Sequence, residues 1–113
     1  MDLQAKIDLA AQWIAESESL VVFTGAGIST DSGLPDFRGP DGVWTRRDKG
    51  LPPPKSPPWD QVRPNPGHYV LAELLEMGLL DYLISQNVDG LHAKSGIPFD
   101  KMAELHGNMY FMK

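Results

Sequence analysis

The chain has 113 residues, 42% of them apolar, with 15 acidic and 10 basic side chains and a net charge of −5, the composition of one small globular unit. The negative balance argues against nucleic acid as a bulk partner, because phosphate binding needs a positive field; a basic protein substrate stays open. Cysteine is absent, which excludes disulfides and thiolate metal sites within these residues.

Taken in chain order, residues 3–16 place Leu3, Ile7, Ala10, Ala11 and Ile14 at helical spacing and predict an amphipathic helix. This acidic N-terminus lacks the charged-then-apolar layout of a signal peptide, and no apolar run reaches membrane-spanning length. The expectation is an intracellular, cytoplasmic protein, nuclear in a eukaryote, with no membrane partner. The run Leu20-Val21-Val22-Phe23 follows. It is short, rich in β-branched residues and apolar on both faces, as a buried parallel strand is. It leads into Thr24-Gly25-Ala26-Gly27-Ile28-Ser29-Thr30.

Residues 31–66 are dense in glycine and proline, including the tract Pro52-Pro53-Pro54-Lys55-Ser56-Pro57-Pro58, so regular structure is not expected there. The tract reads first as a stiff loop and second as a docking ligand for another domain. A second helix is predicted over 67–78, with Val70, Leu71, Leu74 and Leu75 as its apolar stripe and Gly78 as its C-cap. A second strand follows over 80–85, then Gln86-Asn87-Val88-Asp89-Gly90, a short helix over 91–96, and a third strand over 109–112. Helix, strand, Gly-rich loop, helix, strand, loop is the order of an α/β fold with a parallel sheet. Ligands of such sheets bind outside the carboxyl ends of the strands. Both polar clusters, Gly25–Thr30 and Gln86–Asp89, fall there.

Four motifs carry candidate chemistry. Gly25-Ala26-Gly27 lets the backbone turn tightly and approach a pyrophosphate, although Thr30 stands where the full dinucleotide fingerprint has a third glycine. On this motif alone the plainer reading is a tight strand-exit turn. In Asp36-Phe37-Arg38-Gly39, Phe37 can cover a flat heterocycle and Arg38 can pair with phosphate or with Asp36. The plainer reading is a loop stapled by Asp36 and Arg38. Gln86, Asn87 and Asp89 bring three hydrogen-bonding side chains to a strand end. Gln and Asn can bond ribose hydroxyls and Asp89 a carboxamide, or Asp89 and Gly90 simply cap a turn. In Glu104-Leu105-His106-Gly107-Asn108, imidazole is the usual general base near neutral pH, but His68 and His92 compete with His106 on chemistry alone.

Together, GAGISTDSGLPDFRGPDGVW, SQNVDGLH and ELHGN, in this order and at these distances, resemble the sirtuin family from about residue 20 onward. The segment PDGVWT and its short proline-rich sequel resemble the branch that includes chromatin-associated nuclear members and prokaryotic relatives. The resemblance implies an NAD-dependent protein-lysine deacylase, with NAD as co-substrate and an acylated lysine of a protein as substrate. It implies that the acyl oxygen attacks the ribose anomeric carbon, nicotinamide leaves, and a ribose hydroxyl deprotonated with help from His106 attacks the resulting imidate. The products are then lysine, nicotinamide and O-acyl-ADP-ribose.

By the same resemblance, Gly25, Ala26, Gly27 and Thr30 lie beside the phosphates. Asp36, Phe37 and Arg38 lie in the cofactor loop and Trp44 flanks the dinucleotide. Gln86 meets a ribose, and Asn87, Val88 and Asp89 line the nicotinamide pocket. His106 and Asn87 are the candidate catalytic residues. Residues 1–113 correspond to the N-terminal part of the catalytic domain, with 39–66 as its Pro/Gly-rich cofactor-loop region. The fold expected is a partial Rossmann-like parallel sheet with flanking helices, without the zinc module and second half of the sheet. Zinc belongs to the complete family domain, and this chain holds no cysteine to bind it. An open sheet edge is expected to pair with another chain, as an oligomer or a complementing partner. The alternatives are a non-catalytic NAD- or ADP-ribose-binding or interaction module, a mono-ADP-ribosyltransferase and, on the glycines alone, a hydride-transferring dehydrogenase.

Overall fold

The computed structural model describes residues 2–108. Helix α1 (Leu3–Glu16) starts where Asp2 accepts the Ala5 amide at 2.7 Å, and it stops at Ser17, whose backbone N–H and hydroxyl both bond the Ile14 carbonyl. Strand β1 (Val21–Thr24) follows, then a 3-10 helix over Ala26–Ser32. Helix α2 (Val43–Asp48) and a 3-10 turn (Trp59–Gln61) interrupt the Pro/Gly-rich stretch. The expectation of no regular structure there is corrected by α2, whose six residues fit between Gly42 and Gly50.

Helix α3 (Pro66–Glu76) begins with a reciprocal cap. Asn65 accepts the Gly67 amide at 2.8 Å, and His68 Nδ1 accepts the Asn65 amide at 3.0 Å. Pro66 at the first helical position costs no hydrogen bond, and Gly78 closes the helix end with φ +81°. Strand β2 (Tyr82–Ser85), helix α4 (Leu91–Ser95), a 3-10 turn (Phe99–Lys101) and strand β3 (Met102–Glu104) complete the order. The strand expected over 109–112 lies outside the described residues, and β3 was not foreseen.

The three strands form a parallel sheet in the order β1-β2-β3, with Thr24 opposite Ser85 and Ser85 opposite Glu104. One apolar cluster joins Leu83, Ile97 and Met102, against which Leu71, Ala72 and Leu75 of α3 and Ala93 of α4 pack. A second joins Leu34, Val62 and Leu91 and anchors the long loop to α4. Two burial expectations are corrected. Val21 and Phe23 are more than half exposed, because β1 is an edge strand with one open face, and Val70 points away from the core. The stripe of α1 is also open: Leu3 and Ile7 are exposed and the helix buries no residue completely. Among the described residues no helix is long and apolar enough to cross a membrane.

Candidate active site

Parallel pairing brings the carboxyl ends of β1 and β2 side by side, and the Gln86 amide extends the ladder to the Thr24 carbonyl at 3.0 Å. Beyond these ends lies a cavity of about 270 Å³, near the lower limit of the ~300–1,000 Å³ usual for small-molecule pockets. Gln86, Asn87, Val88 and Asp89 line one side, with Ala26 and Ser29 beside them. Leu34, Pro35, Phe37, Val43 and Trp59 supply an apolar wall. The mixture suits a ligand with a flat apolar part and a few polar handles.

The polar side is tightly bonded. Asn87 donates its side-chain N–H to the Gly25 carbonyl at 2.9 Å, and its own amide is received by Ser85 Oγ at 3.1 Å. Asp89 is 5% exposed and both its oxygens are engaged: Oδ2 accepts the Ser29 hydroxyl at 2.6 Å and Oδ1 accepts the Leu91 amide at 3.0 Å. Asp89 thus caps the turn into α4, with Gly90 at φ +71° completing it, and also lines the cavity.

Behind this floor sit two buried histidines. His68 Nδ1 accepts a backbone N–H, so its proton is on Nε2 and points to Ser29 Oγ at 3.2 Å. His92 Nε2 lies 2.9 Å from Thr24 Oγ1, which donates to Ser85 Oγ at 2.8 Å. The rings meet edge-on with centroids 5.1 Å apart. Burial lowers the His68 pKa, partly offset by the charge of Asp89. Burial first, then the neighbouring His68, lowers that of His92 to about 4, against the pull of Asp89. Both rings lie behind the cavity floor and are almost wholly buried, at 0% and 3% exposure.

The structure gathers Ala26, Phe37, Gln86, Asn87, Val88 and Asp89 in the cavity wall, with Gly25 directly behind Gln86. The other predicted residues stand apart from it. A side chain at Gly27 would meet open space, and Thr30 Oγ1 donates to the Gly27 carbonyl. Asp36 is spent on the turn, accepting the Gly39 amide at 2.9 Å, while the Arg38 guanidinium lies 5.0 Å from the Trp44 ring. The Asp36–Arg38 staple is thus replaced by an Asp36–Gly39 bond and a cation–π contact. Trp44 reaches the cavity only through Phe37, ring centroids 5.1 Å apart.

His106 is exposed in the turn that follows β3, where Leu105 N–H bonds the Ser85 carbonyl and Gly107 N–H bonds the Glu104 carbonyl. The Glu104 pKa is raised by burial, opposed by a hydrogen bond from Asn108 and helped by the charge of Asp89, which places the β3 end electrostatically next to the floor. Sequence reasoning missed Thr24, Ser29 and Ser85 as site residues, and Trp59 as wall. Ser29 carried one usable signal, its place inside the glycine turn. Among the described residues no three His, Cys, Asp or Glu side chains converge on a metal position, so none fits zinc.

Fold and site together define an α/β domain whose ligand pocket opens at the carboxyl ends of adjacent parallel strands. The family model described as Sir2 family matches residues 25–54 and 54–113. A protein of Arabidopsis thaliana named NAD-dependent protein deacetylase SRT1 is 53% identical over 109 residues, covering 96% of this chain and 23% of the relative. A solved chain from work on the mechanism and regulation of Sir2 enzymes superposes with a TM-score of 0.76 at 36% identity, over 95% of this chain and 48% of the other. A Sir2 complex with a deacetylated p53 peptide and 3′-O-acetyl ADP-ribose gives 0.72 at 37% identity, over 96% and 48%. The chain belongs to the Sir2 family, and its sheet is the Rossmann-like sheet of that family. It spans about a quarter of the length of the first curated relatives and about half of the solved chains.

Proposed function

We propose that this chain is the N-terminal part of an NAD-dependent protein-lysine deacylase and that the cavity at the strand ends takes the nicotinamide and ribose end of NAD. The observation that carries the reading is the convergence of Gln86, Asn87 and Asp89 opposite Phe37 around one cavity. The cavity fits that end of the cofactor: it is open, one wall is apolar, and Gly25 and Gly27 leave the backbone accessible. NAD, when bound, supplies an activated ribose carbon with nicotinamide as leaving group. The name of the Arabidopsis relative supports NAD dependence, and the peptide and acetyl ADP-ribose of the Sir2 complex support an acyl-lysine substrate and O-acyl-ADP-ribose as product. In this reading the protein acts inside the cell, where NAD is supplied.

In this reading Asp89 accepts from the carboxamide and Asn87 holds the same end of the cofactor, while Gln86 bonds a ribose hydroxyl. Phe37 excludes water from the reacting carbon. Gly25 to Gly27 and Thr30 approach the phosphates. Arg38 offsets their charge and Trp44 flanks the dinucleotide, both within a cofactor loop spanning 39–66 and its approach from Asp36. His106 takes the proton from a ribose hydroxyl.

The test is mass spectrometry of an acetylated lysine peptide incubated with the full-length protein and NAD. Deacetylation accompanied by O-acetyl-ADP-ribose is expected, and His106→Ala should reduce it by roughly 10²–10⁴-fold, the usual range for a lost general base. Unchanged turnover in the variant would remove His106 from the mechanism. The exposed position of His106, outside the cavity wall, favours a second reading in which these residues bind ADP-ribose without turning it over. Calorimetric binding of ADP-ribose with no peptide deacetylation would establish that reading.

A further inference from the structure

His92 is one of three histidines in the chain and has no place in the chemistry just described. Yet it is 3% exposed, and its Nδ1 is the one fully buried side-chain polar atom without a partner among the described residues. An imidazole kept in that position costs stability that a leucine or phenylalanine would not. A compensating role is therefore expected in the bonds that the other ring nitrogen makes.

Those bonds lead to the cavity. Thr24 Oγ1 has one proton, which it donates to Ser85 Oγ at 2.8 Å, so the contact of 2.9 Å with His92 Nε2 is an N–H donated by the ring. The reverse direction would leave a buried Nδ1–H without an acceptor, a rarer and costlier defect than a bare lone pair. Ser85 Oγ in turn receives the Asn87 amide at 3.1 Å. Asn87 is then fixed at a second point, because only its NH2 group can donate to the Gly25 carbonyl, at 2.9 Å. Two covalent positions of Asn87 are thereby tied to the ends of β1 and β2, and its amide oxygen is left for a ligand.

We propose that His92 is a positioning residue for Asn87, acting through Thr24 and Ser85, and that it tunes the grip on the nicotinamide end of the cofactor without touching it. This rests on the reading that Asn87 lines the nicotinamide pocket. The ring stays neutral down to acidic pH because its pKa is lowered to about 4, so the donated N–H is steady through the physiological range. His68 serves the neighbouring residue Asp89 by a separate route through Ser29, and the two routes share only the edge contact of the rings.

The experiment compares His92→Phe, His92→Gln and Thr24→Val in the full-length protein. It measures the Kd for ADP-ribose, the inhibition constant of nicotinamide and the hydrogen exchange of the Asn87 amide. His92→Phe and Thr24→Val should each weaken nicotinamide inhibition by roughly tenfold, the scale of one lost hydrogen bond, while ADP-ribose binding changes less than twofold. Combining them should add nothing, since both cut the same route. His92→Gln returns a donor near the Nε2 position and should recover most of the loss. Equal losses for nicotinamide and ADP-ribose, with no recovery in His92→Gln, would reduce His92 to a packing residue and overturn the proposal. If His92→Phe fails to fold, Thr24→Val and His92→Gln carry the comparison. If the wild-type protein binds neither ligand, the functional reading fails, and the Asn87 amide decides alone: faster exchange in Thr24→Val supports the route and unchanged exchange refutes it.

Discussion

On the floor of the cavity Ser29, Asn87 and Asp89, with Thr24 and Ser85 behind them, are each no more than 9% exposed, and each has a side-chain hydrogen bond. Above it Phe37, Trp44 and Trp59 keep 38–49% of their surface open, and Phe37 and Trp44 meet through a ring contact. The floor is polar, buried and fixed by direction-dependent bonds. The cover is aromatic, half-exposed and held by a turn. A polar group must be aimed to bind a carboxamide or ribose, and aiming requires buried partners. An aromatic cover needs only to shut out water, and a surface that can yield does this while still admitting the ligand. The floor should therefore fail sharply when one bond is lost, and the cover should fail by degrees.

The largest effect is expected at Asp89. Asp89→Ala removes the acceptor of the Ser29 hydroxyl and of the Leu91 amide together with the carboxylate that faces the cavity. Steady-state kinetics should show kcat/KM for NAD falling on the order of a thousandfold, in the upper range for a lost site electrostatic contact. A loss below tenfold would mean that the floor is not where the cofactor is gripped.

Acid should distinguish floor from cover next. The unfolded chain takes up a proton at His92 with the ordinary pKa of 6.5, whereas folded His92 resists until about 4. The unfolded state thus binds more protons between these values, and stability present above pH 6.5 is lost as pH falls towards 4. For His92 alone the loss is roughly 3 kcal/mol, and His68, lowered in the same direction, adds to it. Urea unfolding at pH 7 and at pH 4.5 should show a smaller decline for His92→Gln than for the wild-type protein. Parallel declines would mean that His92 is not held neutral by the fold.

Parts of this division were legible in the residues and parts were not. Helix α1 was read with its observed bounds because a 3.6-residue apolar period is a local signal. The ends of β1 and β2 were read to within two residues, and with them the place of Gln86 to Asp89, because an apolar run that stops in a run of polar residues marks its own end. Strand β3 has three residues, too few for any period, and only its pairing with β2 makes it a strand. Helix α2 is six residues set among glycines and prolines, which dominate a reading by composition. The two buried histidines were counted but not placed. Which hydroxyl meets which ring depends on contacts across separations of 39 and 68 residues, and no local pattern carries that.

The cover should give the smallest and most graded response, and Gly42 is the residue at which to measure it. Its φ of −68° is open to any residue, so backbone conformation does not require glycine there. Space does: a Cβ at Gly42 would stand 2.6 Å from both the Asp36 carboxylate and the Phe37 carbonyl oxygen, closer than atoms pack. The turn that must give way is held by Gly42 N–H to the Gly39 carbonyl, Val43 N–H to the Asp36 carbonyl and Trp44 N–H to the Phe37 carbonyl, each 2.9 Å. None of these bonds belongs to the sheet, so Gly42→Ala should shift Phe37 and Trp44 while leaving the strands paired. The expected outcome is a rise in KM for NAD of about tenfold, about a hundredfold milder than the loss at Asp89, with little change in the urea midpoint at pH 7. A loss as steep as that of Asp89→Ala would show that the cover also aims groups at the cofactor. A collapse of stability would show that the turn from Asp36 to Val43 belongs to the core that carries the floor.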